Sequence, residues 1–190
     1  LNAECDALLY LQNKKAAKTP LPVPFLSGEY VKAIGLENTQ KCCRMLSFLP
    51  GRFLGEIEPN KALMGNLGTF LAGVNQKLIG FDSDAIRARK YEWDLQNLSL
   101  NRKYISTIPE PKQRQVVAYF FQKFDLLVAP IIPELRKAYI HSDFNEWNVL
   151  VEEDQALGLI DFGDMVYSPL VNEVATALSY LSYDKDSFFD

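Results

Sequence analysis

YIHSDFNEWNVLVEEDQALGLIDFGD, residues 139–164, is the stretch whose reading decides the rest of the chain. Val149-Leu150-Val151 and Leu157-Gly158-Leu159-Ile160 are short apolar runs separated by the polar turn residues Glu152-Glu153-Asp154-Gln155, a pattern that predicts a β-hairpin. Such a hairpin folds Asp161 back beside Asn148. Asp143 sits just upstream, on a tight loop after the short strand Tyr139-Ile140. Two carboxylates and a neutral amide therefore converge, and these are hard oxygen donors of the kind that hold Mg²⁺ together with substrate phosphates. Gly163 lets the backbone turn sharply behind Asp161.

Working outward, the chain upstream divides at Pro50-Gly51. Before it, residues 1–12 carry Leu1, Cys5, Leu8, Leu9 and Leu11 at helical spacing, and the Pro-rich basic connection 14–24 ends that helix. Lys14, Lys15 and Lys18 read as solvated parts of that connection. Residues 29–34 and 41–49 are expected to pair as strands across a turn at 35–40. After Pro50-Gly51 the pattern is helical as far as residue 140, with segments at 62–77, 82–98 and 111–135. Leu63, Leu67, Phe70, Leu71 and Val74 form the apolar stripe of the first. Val116, Val117, Phe120, Phe121, Phe124, Leu126 and Leu127 form that of the third, and both stripes are read as core. A last helix at 171–181 is expected to turn Val174, Leu178 and Leu181 inward. The first helix starts without a cap and the tail 182–190 closes on Phe188-Phe189 without a stop signal, so the chain is expected to be a segment of a longer protein.

Composition narrows the function classes. A chain of 190 residues with 48% hydrophobic content can bury a real core. No apolar run approaches a membrane span, and the start Leu1-Asn2-Ala3-Glu4 lacks the basic, then apolar, form of a signal peptide, so a cytoplasmic location is expected. A net charge of −4 without a basic block argues against nucleic acid and suits a small or cationic substrate. Cys5, Cys42 and Cys43 lack metal-ligand spacing and are expected to be reduced and mostly buried.

Phosphoryl transfer asks for a carboxylate to orient the attacking hydroxyl and for metal ions on the β and γ phosphates. The pattern His141-x-Asp143-x-x-x-x-Asn148, followed by Ile160-Asp161-Phe162-Gly163-Asp164, resembles the aminoglycoside phosphotransferase and choline kinase-like branch of the protein-kinase fold. Ser142 stands where protein kinases carry arginine, which favours the small-molecule branch. Ser47-Phe48-Leu49-Pro50-Gly51, Trp93-Asp94-Leu95 and the block 141–151 are similar to hydroxylysine kinases and to the kinase domains fused to class III aminotransferases. The resemblance covers residues 4–181.

It implies an α+β, protein-kinase-like fold, with a truncated N-lobe sheet at 1–49 and a mainly helical C-lobe at 50–190 carrying the catalytic β-hairpin. It also implies roles for individual residues. Asp143 is the catalytic base, Asn148 and Asp161 are Mg²⁺ ligands, and Phe48 and Leu49 form a hinge whose backbone binds the purine of ATP or GTP. Glu4 matches the glutamate that pairs with the nucleotide-binding lysine. His141 braces the catalytic loop, and Glu173 props it from behind. Asp164 is read either as a support or substrate-ammonium contact or as simple turn chemistry. Tyr91, Trp93, Trp147 and Tyr167 are the rings able to stack on a cationic acceptor, against the commoner use of aromatics in packing. No GxxxxGK pattern or strand-borne lysine precedes Glu4, so these residues by themselves are expected to bind nucleotide poorly.

The function expected is transfer of the γ-phosphate of ATP or GTP to the hydroxyl of an amino alcohol such as hydroxylysine. Choline, ethanolamine, homoserine or an aminoglycoside are the alternative acceptors. A non-catalytic, partner-binding kinase-like module, fused to or associated with another domain, is the alternative from a different class.

Overall fold

The computed structural model describes residues 1–15, 18–36, 39–153 and 155–182. Residues 16–17 of the basic connection, 37–38 of the first strand turn, Asp154 of the central hairpin turn and the tail 183–190 lie outside the described residues.

The N-terminal helix forms as its spacing predicts. α1 (Asn2–Asn13) buries Ala3, Cys5, Ala7, Leu8 and Leu11, and with them the carboxylate-bearing Glu4. β1 (Pro22–Val23), β2 (Val31–Leu36) and β3 (Thr39–Leu46) make one antiparallel sheet in the order β1-β3-β2. The register pairs Val31 with Arg44. The cysteines are free, but only Cys5 is buried; Cys42 is exposed and Cys43 half-buried, because they occupy successive positions on β3, a strand with little packed over it.

β4 (Arg52–Phe53) leads out of the 47–51 connection and pairs with the first strand of the central hairpin. α2 (Lys61–Lys77) is capped by Asn60, whose side chain accepts from Leu63 N–H at 2.9 Å. Its stripe is buried as expected at Leu63, Leu67, Leu71 and Val74, with Phe70 packed partly against the core.

The two following helical expectations need correction. At 82–98 only a single turn, α3 (Asp84–Arg87), is helical, and a 3-10 run follows at Leu95–Thr107. The break falls at Asp94. Its buried carboxylate accepts from Gln96 Nε2 at 2.6 Å and from Ser168 Oγ at 2.7 Å, and the long-range bond to Ser168 overrides local helix preference. At 111–135 the helix α4 (Pro111–Lys123) gives way to a π turn at Phe124–Val128 and a short 3-10 turn at Ile132–Glu134, where Pro130 and Pro133 deny the helix its hydrogen bonds. Of its stripe only Phe121 is buried; Val116, Phe120, Leu126 and Leu127 are exposed, because α4 packs on the 95–107 run and not on the main core.

The central stretch folds as read. β5 (Lys137–Ile140) pairs with β8 (Val166–Pro169), and β6 (Val149–Glu152) with β7 (Gln155–Leu159) forms the hairpin, β4 completing its sheet. The core beneath joins Leu8 and Leu11 of α1, Leu63 and Leu67 of α2, and Phe144, Val149, Leu159 and Phe162 of the central stretch. α5 (Leu170–Leu181) turns Glu173 and Ala177 inward. Val174 and Leu178, expected inside, are instead half-exposed on an apolar groove of about 710 Å³ shared with Met64 and Leu71 of α2, one position round the helix from the face that Glu173 anchors. No helix among the described residues is long and apolar enough to cross a membrane.

Candidate active site

Loop 141–148 is built by backbone bonds to buried side chains. Glu173, fully buried on α5, accepts from His141 N–H at 3.2 Å and from Ser142 N–H at 2.7 Å. These bonds hold Ser142 in the left-handed region, at φ 68°, and so turn the chain toward Asp143. Burial outweighs the two donors and the Glu173 carboxyl is pushed up to about 7.

His141 ties this loop to the end of the hairpin. Its Nε2 lies 2.9 Å from the carbonyl oxygen of Ile160, and its Nδ1 lies 3.3 Å from the N–H of Asp143. A carbonyl only accepts, so the partners assign the proton to Nε2 and leave Nδ1 as the acceptor. Burial lowers the imidazole pKa, which keeps this neutral form, and the ring packs edge-on against Phe162 at 4.8 Å. His141 thus contacts both the loop that carries Asp143 and the end of the hairpin.

Asp143 is half-buried, with both carboxylate oxygens engaged. Asn145 Nδ2 donates to Oδ1 at 3.0 Å and Asn148 Nδ2 to Oδ2 at 2.7 Å, and Tyr180 lines the same cavity as this carboxylate. The hairpin does return Asp161 to Asn148: Ile160 N–H donates to the Asn148 carbonyl at 2.9 Å. Asp161 is exposed at φ 58°, its Oδ1 accepting from Gly163 N–H at 3.3 Å. Asp164 beside it is raised above the ordinary carboxyl pKa by burial first, then by the charges of Asp143 and Asp161, offset in part by the indole N–H of Trp93.

A cavity of about 260 Å³ opens on this cluster, lined by Asp143, Asp164, Trp93, Thr176 and Tyr180 among others. Of the four rings able to meet a cation, only Trp93 lines it. Tyr167 is covered by Arg87, whose guanidinium lies 4.2 Å from the ring centre, Trp147 packs on Phe53, and Tyr91 stacks beside Trp93 at 4.6 Å.

The remaining sequence candidates lie away from this cavity. Phe48 is 89% exposed on the 47–50 connection, while Leu49 covers Gly158 of β7. Glu4 is buried on α1, where Oε2 meets Arg44 at 2.5 Å and Oε1 meets Arg89 at 2.7 Å. Sequence reasoning missed Asn145, Tyr180 and Arg89. Asn145 lay in the quoted loop, Tyr180 was absorbed into a helix, and Arg89 stood in the charged segment 82–98, read only as a helix.

The donor set suits Mg²⁺: Asn148 has turned its amide nitrogen to Asp143, which leaves its carbonyl oxygen for a cation, and Asp161 presents an exposed carboxylate. Among the described residues no group of three or more His, Cys, Asp or Glu side chains is gathered to hold a metal ion. Few protein ligands completed by phosphate and water is the ordinary arrangement for Mg²⁺.

The sequence matches the phosphotransferase enzyme family over residues 1–190. The chain belongs to that family. Among the curated relatives, hydroxylysine kinase of Mus musculus is 28% identical over 150 residues, covering 73% of this chain and 40% of the relative. Hydroxylysine kinase of Xenopus laevis is 23% identical over 203 residues, covering 98% and 54%. An aminopropanol kinase associated with a microcompartment superposes with a TM-score of 0.74 at 18% identity, covering 96% of this chain and 59% of its own. An amicoumacin kinase in complex with AMP-PNP and Ca²⁺ gives 0.71 at 21%, covering 96% and 53%. The chain thus spans about half the length of these phosphotransferases, and its fold is the kinase-like one of the family.

Proposed function

We propose that this chain is the catalytic and metal-binding part of a kinase that moves the γ-phosphate of ATP or GTP onto the hydroxyl of a small amino alcohol, with hydroxylysine the first candidate. One observation carries the reading. The Asp143 carboxylate is held by two amide donors at the mouth of a small cavity that also contains a second carboxylate and an indole. A hydroxyl entering that cavity would meet Asp143, which orients it and receives its proton. An ammonium group on the same molecule has Asp164 and the face of Trp93 within the cavity walls.

Asn148 and Asp161 would hold Mg²⁺, which would neutralise charge on the nucleotide phosphates during transfer. His141 and Glu173 fix the loop that carries the base, so the carboxylate needs no rearrangement at the moment of reaction. In this reading residues 1–49 are the remaining part of a nucleotide-facing lobe and 50–190 the acceptor lobe. Phe48 and Leu49 join them as the purine-binding hinge, and Glu4, held here by Arg44 and Arg89, corresponds to the glutamate that pairs with the nucleotide-binding lysine. The low identity to hydroxylysine kinases leaves the acceptor to experiment.

The test is a panel of hydroxylysine, 1-amino-2-propanol, ethanolamine, choline, homoserine and an aminoglycoside, offered with ATP or GTP and Mg²⁺ to the full-length protein. Phosphorus NMR of the product supplies the readout. One acceptor should be phosphorylated, and Asp143→Ala should abolish the transfer while leaving nucleotide affinity near that of the wild type. Turnover surviving in Asp143→Ala would remove Asp143 as the base. Failure of every acceptor, with nucleotide and Mg²⁺ leaving the melting temperature unmoved, would favour a non-catalytic module.

A further inference from the structure

Arg89 lies outside every motif discussed above, yet it makes three hydrogen bonds that converge from two directions. Nη1 donates to the carbonyl oxygens of Gly163 at 3.0 Å and Met165 at 2.8 Å, the two residues that flank Asp164. Nη2 donates to Glu4 Oε1 at 2.7 Å, and Glu4 Oε2 in turn takes Arg44 of β3. Neither partner is loose: the Arg89 side chain is 12% exposed and that of Glu4 is 7%. The same segment reaches Asp164 a second time: Trp93, which lines the cavity together with Asp164, lies 4.6 Å from Tyr91 between ring centres, and the Arg89 guanidinium lies 5.3 Å from the Tyr91 ring centre.

The loop so gripped is a strained one. Asp161 is a non-glycine residue in the left-handed region, at φ 58°, a conformation that persists only where the surroundings impose it. Its carboxylate folds onto Gly163 N–H, so fixing the Gly163 and Met165 carbonyls fixes the short turn that aims Asp161. A guanidinium suits this task because its planar fork spans two carbonyls and a carboxylate at once, which a point-like ammonium does not.

We propose that Arg89 is a positioning residue. It sets the Asp161–Asp164 turn in its metal-binding geometry and couples that turn to Glu4 of α1, so that the nucleotide-facing helix and the metal loop move as one unit. The inference rests on the phosphotransferase reading of Asp161, and it adds a residue that the motif does not contain.

The test uses the full-length protein with Mn²⁺ as the probe and a non-hydrolysable ATP analogue. Electron paramagnetic resonance measures Mn²⁺ affinity, and thermal melting without nucleotide measures the fold. Arg89→Ala should weaken Mn²⁺ binding by roughly 10- to 100-fold, the range found when the groups that orient metal ligands are removed. Arg89→Lys should recover part of the loss. Glu4→Gln should weaken Mn²⁺ less than Arg89→Ala does, and the double variant should be no worse than Arg89→Ala alone, since one chain of contacts is being cut. Should Arg89→Ala fail to fold, the lysine variant and Glu4→Gln carry the comparison. Folded Arg89 variants that lose melting temperature but keep wild-type Mn²⁺ affinity would overturn the proposal and leave the phosphotransferase reading intact. A wild type that binds no Mn²⁺ in the presence of nucleotide would overturn both.

Discussion

The side-chain amide of Asn148 donates to Asp143 twice, to Oδ2 at 2.7 Å and to the backbone carbonyl at 2.9 Å. A neutral amide is the one group at this position that can steady a carboxylate with its nitrogen while offering its oxygen to a cation. Asn148→Asp keeps the shape but replaces the donor with a second negative charge. Hydrogen bonds to charged groups contribute about 1.5–3 kcal/mol, so kcat should fall by at least roughly tenfold, and by more if the base is displaced. A steady-state assay of the full-length variant across Mg²⁺ concentrations checks this. Wild-type kcat in Asn148→Asp would show that the Asn148–Asp143 contact does not set the base.

His141 joins the loop that carries Asp143 to the strand end that carries Asp161, through Ile160 on one nitrogen and Asp143 N–H on the other. His141→Ala leaves both groups unpaired in a site that water does not reach and opens a void beside Phe162. The expected loss is about 2–4 kcal/mol in denaturant unfolding. His141→Asn retains one of the two bonds and should fall between alanine and wild type. Equal stability of the alanine variant and the wild type would mean that the imidazole does not brace the loop.

Gly158 makes the close approach between the hairpin and the 47–50 connection. A Cβ there would lie 2.6 Å from Leu49 Cδ2 and 2.9 Å from the backbone oxygen of Lys18, and the second neighbour cannot swing aside. Lys18 O also accepts from Leu159 N–H at 3.1 Å, so displacing it breaks a bond as well. Gly158→Ala should cost about 1–3 kcal/mol of stability. Because Leu49 is the atom group pushed, it should also raise the KM for nucleotide more than that for the acceptor. Equal changes in the two constants would remove Leu49 from the nucleotide site.

The parts of this architecture that local patterning specifies were readable. The hairpin and α2 each carry their period and their turn or cap residues close by, α1 carries its period without a cap, and the return of Asp161 to Asn148 follows from the hairpin alone. What was not readable depends on partners far away in sequence. Asp94 breaks the expected 82–98 helix because Ser168 draws it inward, and the apolar stripe of α4 stays exposed because nothing in its own sequence says which surface it meets. α5 was misjudged for a related reason. Hydrophobic spacing favoured Val174 and Leu178 as the buried face, whereas the helix is rotated to place Glu173 under the 141–148 loop. Arg89 is the extreme case, a charge whose partners lie 74, 76 and 85 positions away.

Glu173 gives the site a pH signature whose sign can be worked out. Its carboxyl, ordinarily at 4.5, is pushed up to about 7 by burial, so between these values the folded protein holds a proton that the unfolded chain has released. The stabilising contribution is therefore fully present below about pH 4.5 and is lost as the pH rises toward 7. His141 works the other way: burial lowers its pKa, so its contribution is present above the unfolded value of 6.5 and is lost as the pH falls below it. The two overlap in wild-type melts, but His141 is common to wild type and Glu173→Gln, and it cancels in their difference. Glutamine keeps one acceptor for the His141 and Ser142 amides and turns a donor toward the other, so the variant should be less stable at every pH. Its deficit should be largest near pH 4.5 and shrink by up to roughly 3 kcal/mol by pH 7, the equivalent of the raised pKa. Paired unfolding curves of the two proteins across that window measure it directly. A deficit that stays constant from pH 4.5 to 7 would mean that Glu173 remains charged beneath the loop, with the two amide donors outweighing its burial.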